Sequence, residues 1–307
     1  MGDLDNEATI IFQSSMASNS WRVYKFAFNR FSNFRVEYKL EPIWPVPVDH
    51  LIKYISYLSL AGFSVSTITT YISAVSYVHK IRHITDTTKC FILTKMMEGL
   101  KREGNSSDLR SPITISLLGR LVSVLSNVCS SDYEASMFSA AFTLAFFGLL
   151  RVGEFTANTY KDESDRPLQI KDIRLLATPP RIQMTIRKSK TDQRRKTFTL
   201  VINSAKAQLI CPVRAMQTYL LMRPTYLCDQ LFIHYDGTRL SRYQFSSLLK
   251  KTLKFCEVKS GCYKSHSFRI GMASECIRLG IPDETVKLWG RWSSNAYTRY
   301  IRIPPMA

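Results

Sequence analysis

With 307 residues, 45% hydrophobic and 21% charged, the chain reads as a globular protein of two domains of the usual ~100–200 residues. No apolar run approaches the ~18 residues of a membrane span. The seven cysteines, odd in number and without CxxC spacing, predict mostly buried thiols in a reducing compartment and exclude a disulfide framework or zinc site.

In chain order, the acidic, polar start (Met1 to Glu7) does not read as a signal peptide, and the first residues are expected to form a loose tail. Trp21, Tyr24, Phe28 and Phe31 then recur at helical spacing up to the break at Pro42, Pro45 and Pro47. Leu51, Tyr54, Ile55 and Leu58 share the next helical face. After Gly62, Ser66 is placed to cap a helix carrying Ile68, Tyr71, Ile72, Val75 and Val78. A further helix is expected from Lys89 to Lys101, giving an all-α bundle over residues 8–103. The polar stretch Arg102 to Ser111 reads as a linker, and a second domain is expected over 112–307.

In that second domain, Pro112 and Thr114 open a helix to about Leu125, and a very apolar helix follows from Tyr133 to Leu149. The period then changes to two: Ile182, Met184 and Ile186, then Phe198, Leu200 and Ile202, predict an antiparallel hairpin around a basic turn. Helices resume near Pro212 and over Ser241 to Cys256, Ser267 to Leu279, Pro282 to Trp289 and Ser294 to Ile301. The fold class is thus mainly α with a small antiparallel β-sheet in the C-terminal domain. Charge is lopsided. The first 100 residues carry 10 Lys/Arg against 8 Asp/Glu and the rest 32 against 16, out of a net +18. This predicts a polyanionic partner for the C-terminal domain, since Lys and Arg gain by displacing counterions from phosphates. An anionic membrane surface would instead want one amphipathic basic helix.

Four segments carry candidate chemistry, each with a bland reading when taken alone. Arg151 in GLLRVGE follows a buried run, with Glu154 three residues on as its partner; alone it is a helix-terminal Arg reaching solvent. The turn RKSKTDQRRK (Arg187 to Lys196) is a solvated basic loop or a hairpin tip entering a DNA groove. His266 and Arg269 in SHSFR sit together at a helix start, where free N–H groups and the dipole favour a phosphate; alone they are a cap and an exposed Arg. Trp292 precedes Tyr300 by eight residues in GRWSSNAYTRYIR, and either aromatic alone is an ordinary core or interface residue.

Taken together, in the order Arg, Lys, His-x-x-Arg, Trp, Tyr, these segments resemble the tyrosine recombinase (phage integrase) family. With Trp rather than His before the Tyr, they look most like Cre-like and Crypton-like eukaryotic mobile-element recombinases. The N-terminal part, notably GFSVSTITTYISAVSYVH, resembles the family's helical core-binding, SAM-like domain, so the resemblance covers nearly the whole chain. It implies a site-specific recombinase or integrase that breaks and rejoins DNA through a 3′-phosphotyrosine. Tyr300 would be the nucleophile, with Tyr297, one turn earlier, as its rival. Arg151 and Arg269 would clamp the phosphate, and His266 would hydrogen-bond it and help take the Tyr proton. Trp292 would donate its indole N–H and pack the Tyr segment. Glu154 would stand behind Arg151. Lys190 would be the general acid for the leaving oxygen, with Lys188 as the alternative one register away. Arg187, Lys188, Arg194, Arg195 and Arg291 are expected DNA contacts.

The resemblance implies no metal, no cofactor and no small-molecule ligand. The expected partners are double-stranded DNA and further copies of the chain, as a dimer to tetramer on DNA, with no membrane association. The expected location is intracellular, nuclear in a eukaryotic host. A catalytically silent DNA-binding protein is the alternative. A type IB topoisomerase is a further one, but that family carries Lys at the His266 position and His at the Trp292 position. The cluster Asp162, Glu163 and Asp165 is read as a solvated loop. Family members often continue past the Tyr into a helix that docks on a neighbouring protomer. Here Pro304-Pro305 would stop one, so either a different contact or a truncated chain is expected.

Overall fold

The computed structural model describes residues 2–103, 109–158, 167–187, 197–225 and 228–302, and the chain divides into two compact units, Met1–Ser107 and Asp108–Ala307. The first unit holds helices α1 (Gly2–Ser14), α2 (Ser18–Glu37), α3 (Val48–Leu60), α4 (Val65–Ile81) and α5 (Phe91–Glu103). Its core joins Phe31, Phe34, Leu51, Tyr54, Leu58, Val75 and Leu93, all at most 2% exposed. Side chains of this kind contribute roughly 1.5–3 kcal/mol each on burial. Two expectations change here. The N-terminal segment is a helix, although none of its residues is buried. The cap of α4 is Ser64, whose hydroxyl accepts from Thr67 N–H at 3.3 Å, rather than Ser66.

The second unit contains α6 (Ile115–Ser123), α7 (Leu125–Val128), α8 (Asp132–Phe147), α9 (Val152–Phe155), strands β1 (Ile173–Leu176), β2 (Arg181–Ile186) and β3 (Phe198–Asn203), then α10 (Pro212–Met222), α11 (Arg242–Phe255), α12 (His266–Arg278) and α13 (Asp283–Gly290). A 3-10 segment, Asn295–Tyr300, replaces the α-helix expected there. Helix α8 is apolar on all sides because it runs through the core, packed by α6, α10 and α12. The close approach of α12 depends on Gly271, where a Cβ would stand 1.8 Å from the carbonyl oxygen of Ile113.

The sheet is antiparallel with order β1-β2-β3, and the expected hairpin is β2–β3, paired from Arg181↔Asn203 to Ile186↔Phe198. Ile182, Met184, Ile186, Leu200 and Ile202 face the core, as the period of two required. Strand β1 escaped the sequence reading because its four residues are too few to display a period. All seven cysteines are unpaired, but only Cys211, Cys256 and Cys276 are buried, and Cys262 is exposed. No helix among the described residues is long and apolar enough to cross a membrane.

Candidate active site

Two helix C-termini meet at the centre of the second unit. Helix α8 ends in a left-handed turn at Leu149 (φ 47°), with Leu149 N–H donating to Phe146 O and Leu150 N–H to Ala145 O, both at 3.1 Å. Helix α13 ends the same way at Arg291 (φ 57°), with Arg291 N–H on Leu288 O and Trp292 N–H on Lys287 O, both at 3.0 Å. This position usually takes glycine, as α3 and α12 do with Gly62 and Gly280. A side chain in that conformation costs about 1–2 kcal/mol.

Both ends expose orphan carbonyls and the negative pole of the helix dipole, and two arginines stitch them together. Arg269 donates to the carbonyls of Leu149 and Gly290. Arg291 donates to Leu149 O at 3.0 Å, Gly148 O at 3.4 Å and Trp289 O at 2.9 Å.

Arg151 directly precedes α9. The Glu154 carboxylate accepts from the backbone N–H of Arg151 at 2.8 Å and from its guanidinium at 3.2 Å. The same carboxylate accepts from Arg291 at 2.8 Å. The side chains of Glu154 and Arg291 are 5% and 6% exposed, that of Arg151 15%. Glu154 is therefore a shared anion between two guanidiniums. Burial, then the charges of Arg151 and Arg291, push Arg269 well below the ordinary arginine range. Burial likewise lowers Arg291, against the pull of Glu154.

Arg269 is fully enclosed. The Trp292 ring lies 4.0 Å from its guanidinium carbon and the Tyr300 ring 5.6 Å, in cation–π range. The Tyr300 ring sits 5.2 Å from Trp292 and 6.1 Å from His266, the first residue of α12. The segment is pinned from beneath, because Ser274 Oγ donates to Tyr300 O and accepts from Arg302 N–H at 2.7 Å. A small apolar cluster of Leu149, Ala273, Cys276 and Val286 supports Trp292 and Tyr300. Tyr300 keeps part of its surface in solvent, as does His266.

The Tyr297 ring lies 6.2 Å from Trp292, but its hydroxyl is engaged elsewhere. It is 4% exposed and its hydroxyl donates to the Asp283 carboxylate, which raises its pKa.

The structure thus brings Arg151, Glu154, His266, Arg269, Trp292 and Tyr300 together. It corrects Arg291, which the sequence reading set among DNA contacts: the side chain is inside, bonded to Glu154 and three carbonyls. Arg187 is half exposed and donates to the buried Asp172 carboxylate at 2.5 Å. Lys188, Lys190, Arg194 and Arg195, like Asp162, Glu163 and Asp165, lie outside the described residues. Sequence reasoning missed the tie between Asp283 and Tyr297 and the inward role of Arg291. The Gly290-Arg291 pair after an amphipathic helix was the available signal, since it marks a helix stop. Among the described residues, no group of three or more His, Cys, Asp and Glu is gathered where it could hold a metal ion.

No protein-family model matches the chain, and no curated protein matches it. Solved structures do. The XerH site-specific recombinase bound to palindromic difH substrate, in a post-cleavage complex, aligns at a TM-score of 0.66 and 15% identity, over 91% of this chain and 75% of that one. The Tn1549 transposon integrase in complex with circular intermediate DNA aligns at 0.62 and 12%, over 97% and 94%. A lambda integrase dimer bound to a COC′ core site aligns at 0.61 and 15%, over 97% and 75%. The chain has the fold of the tyrosine recombinases.

Proposed function

We propose that this chain, with its tyrosine-recombinase fold, is a DNA strand-transfer enzyme that cleaves and rejoins double-stranded DNA through Tyr300. The Tyr300 oxygen attacks the scissile phosphorus, the bond from phosphorus to the 5′-oxygen breaks, and a 3′-phosphotyrosine and a 5′-hydroxyl result. His266 takes the phenol proton. Lys190, or Lys188 one register away, returns a proton to the departing 5′-oxygen. Arg151 and Arg269 stabilise the charge that builds on the non-bridging oxygens in the pentavalent transition state. Reversal by an incoming 5′-hydroxyl rejoins the strand, so the phosphodiester energy is retained and the reaction as written needs no nucleotide.

The observation that carries this reading is the packing of the Tyr300 ring against Trp292, His266 and Arg269. The solved complexes with DNA support it. Phenol attack requires the proton to leave, and His266, whose ring is 6.1 Å from that of Tyr300, is the neighbouring base. Trp292 and Tyr300 lie over Arg269, so the nucleophile and the clamp are held at one place. The N-terminal unit is assigned as a second DNA-holding module, and further copies of the chain as partners on DNA.

The test is a nicked suicide substrate incubated in chelator. The wild-type chain should form a covalent protein–DNA adduct, and Tyr300→Phe should form none while still binding DNA. An adduct that survives in Tyr300→Phe sinks the assignment. Nicking without an adduct sinks the reaction class.

A further inference from the structure

Arg291 belongs to none of the catalytic roles above, yet its guanidinium bonds to Glu154 and to three carbonyls of the site. It shares an acceptor with each clamp arginine. With Arg151 it shares the Glu154 carboxylate, and with Arg269 the Leu149 carbonyl. It reaches this place by adopting a left-handed backbone that a glycine would adopt without strain. The preceding residue, Gly290, is no substitute, because it is needed elsewhere: the Trp292 ring occupies the space of its Cβ. A strained, buried, charged residue at a helix stop is a poor choice for stability alone.

We propose that Arg291 is a positioning residue that sets the geometry of both phosphate-clamping arginines. Its guanidinium holds Glu154 where Arg151 lies against it, and holds the Leu149 carbonyl where Arg269 docks. Its left-handed turn also folds Trp292 back over Gly290 and onto Arg269. One residue thereby couples three members of the site, Arg151 and Arg269 through its side chain and Trp292 through its backbone. This inference rests on the strand-transfer reading, since it gives Arg291 its purpose through Arg151 and Arg269.

Arg291→Gly is the decisive variant: it keeps the turn, relieves the strain and removes the guanidinium. Three quantities are measured on the full chain, namely thermal melting, DNA affinity, and the single-turnover rate of adduct formation on the suicide substrate. The expected result is a cooperative melt, unchanged affinity and a rate lowered by about 10–100-fold, the scale of a displaced catalytic group. Methylguanidinium added in solution should restore part of that rate. If the Gly variant does not fold, Arg291→Lys decides: one ammonium cannot span the acceptors of a planar fork, so the rate should still fall with affinity intact. Wild-type rate in a folded variant makes Arg291 a mere helix stop and overturns the proposal. Collapse of both variants also overturns it. If the wild-type chain forms no adduct at all, the strand-transfer reading itself has failed.

Discussion

Gly290 and Trp292 compete for one space: a Cβ on Gly290 would stand 1.7 Å from Cζ3 of the indole. In most helices Ala is better than Gly by roughly 0.5–1 kcal/mol. Here the order should invert. Gly290→Ala is expected to expel the Trp292 ring from Arg269, shift tryptophan emission to the red and lower adduct formation at least tenfold, read by fluorescence and suicide-substrate cleavage.

Glu154 is the only carboxylate that the described contacts place between Arg151 and Arg291. Its removal leaves two guanidiniums buried beside Arg269 without their anion. Glu154→Ala should therefore destabilise the protein by about 3–5 kcal/mol, the usual result of breaking a buried pair from one side. Denaturant unfolding measures it.

Tyr297 should prove dispensable for chemistry. Its hydroxyl donates to Asp283, and that bond holds the proton on an oxygen that would have to lose it to attack. Tyr297→Phe should form the covalent adduct at wild-type yield. Loss of the adduct in this variant, with retention in Tyr300→Phe, would exchange the two assignments.

The N-terminal unit offers a pH test. Burial raises the Asp86 pKa, but hydrogen bonds from Ser76 and Thr88 outweigh it and hold it below the usual carboxylate value. A depressed folded-state pKa contributes stability above the unfolded value near ~4, and that contribution is lost as pH falls through the folded value. Asp86→Asn should lower the melting temperature at pH 7, with the gap to wild type closing below about pH 4.

Much of this was legible in the sequence, for identifiable reasons. The alternation of Ile182, Met184 and Ile186 with polar residues could only be a half-buried strand. The run from Tyr133 to Leu149 read as a buried helix, and the helix spans Asp132–Phe147. Arg151, His266, Arg269, Trp292 and Tyr300 were singled out by their order and spacing, and the fold brings these distant segments together. The inward course of Arg291 was not legible because it goes with a left-handed backbone that no local residue pattern announces. The N-terminal helix was misread because polarity predicts exposure and says little about whether a backbone coils.

The Leu149 carbonyl, which accepts from Arg269 and Arg291 together, has a last consequence. Among the described contacts Glu154 serves both Arg151 and Arg291, and Arg269 joins them at the Leu149 carbonyl, so like charges are held at close quarters against their mutual repulsion. Any anion that arrives discharges this tension. Phosphate or sulfate should therefore raise the melting temperature more than chloride at equal ionic strength. The fold itself thus keeps this concentration of positive charge in one place, through the two helix ends and the carboxylate that hold it.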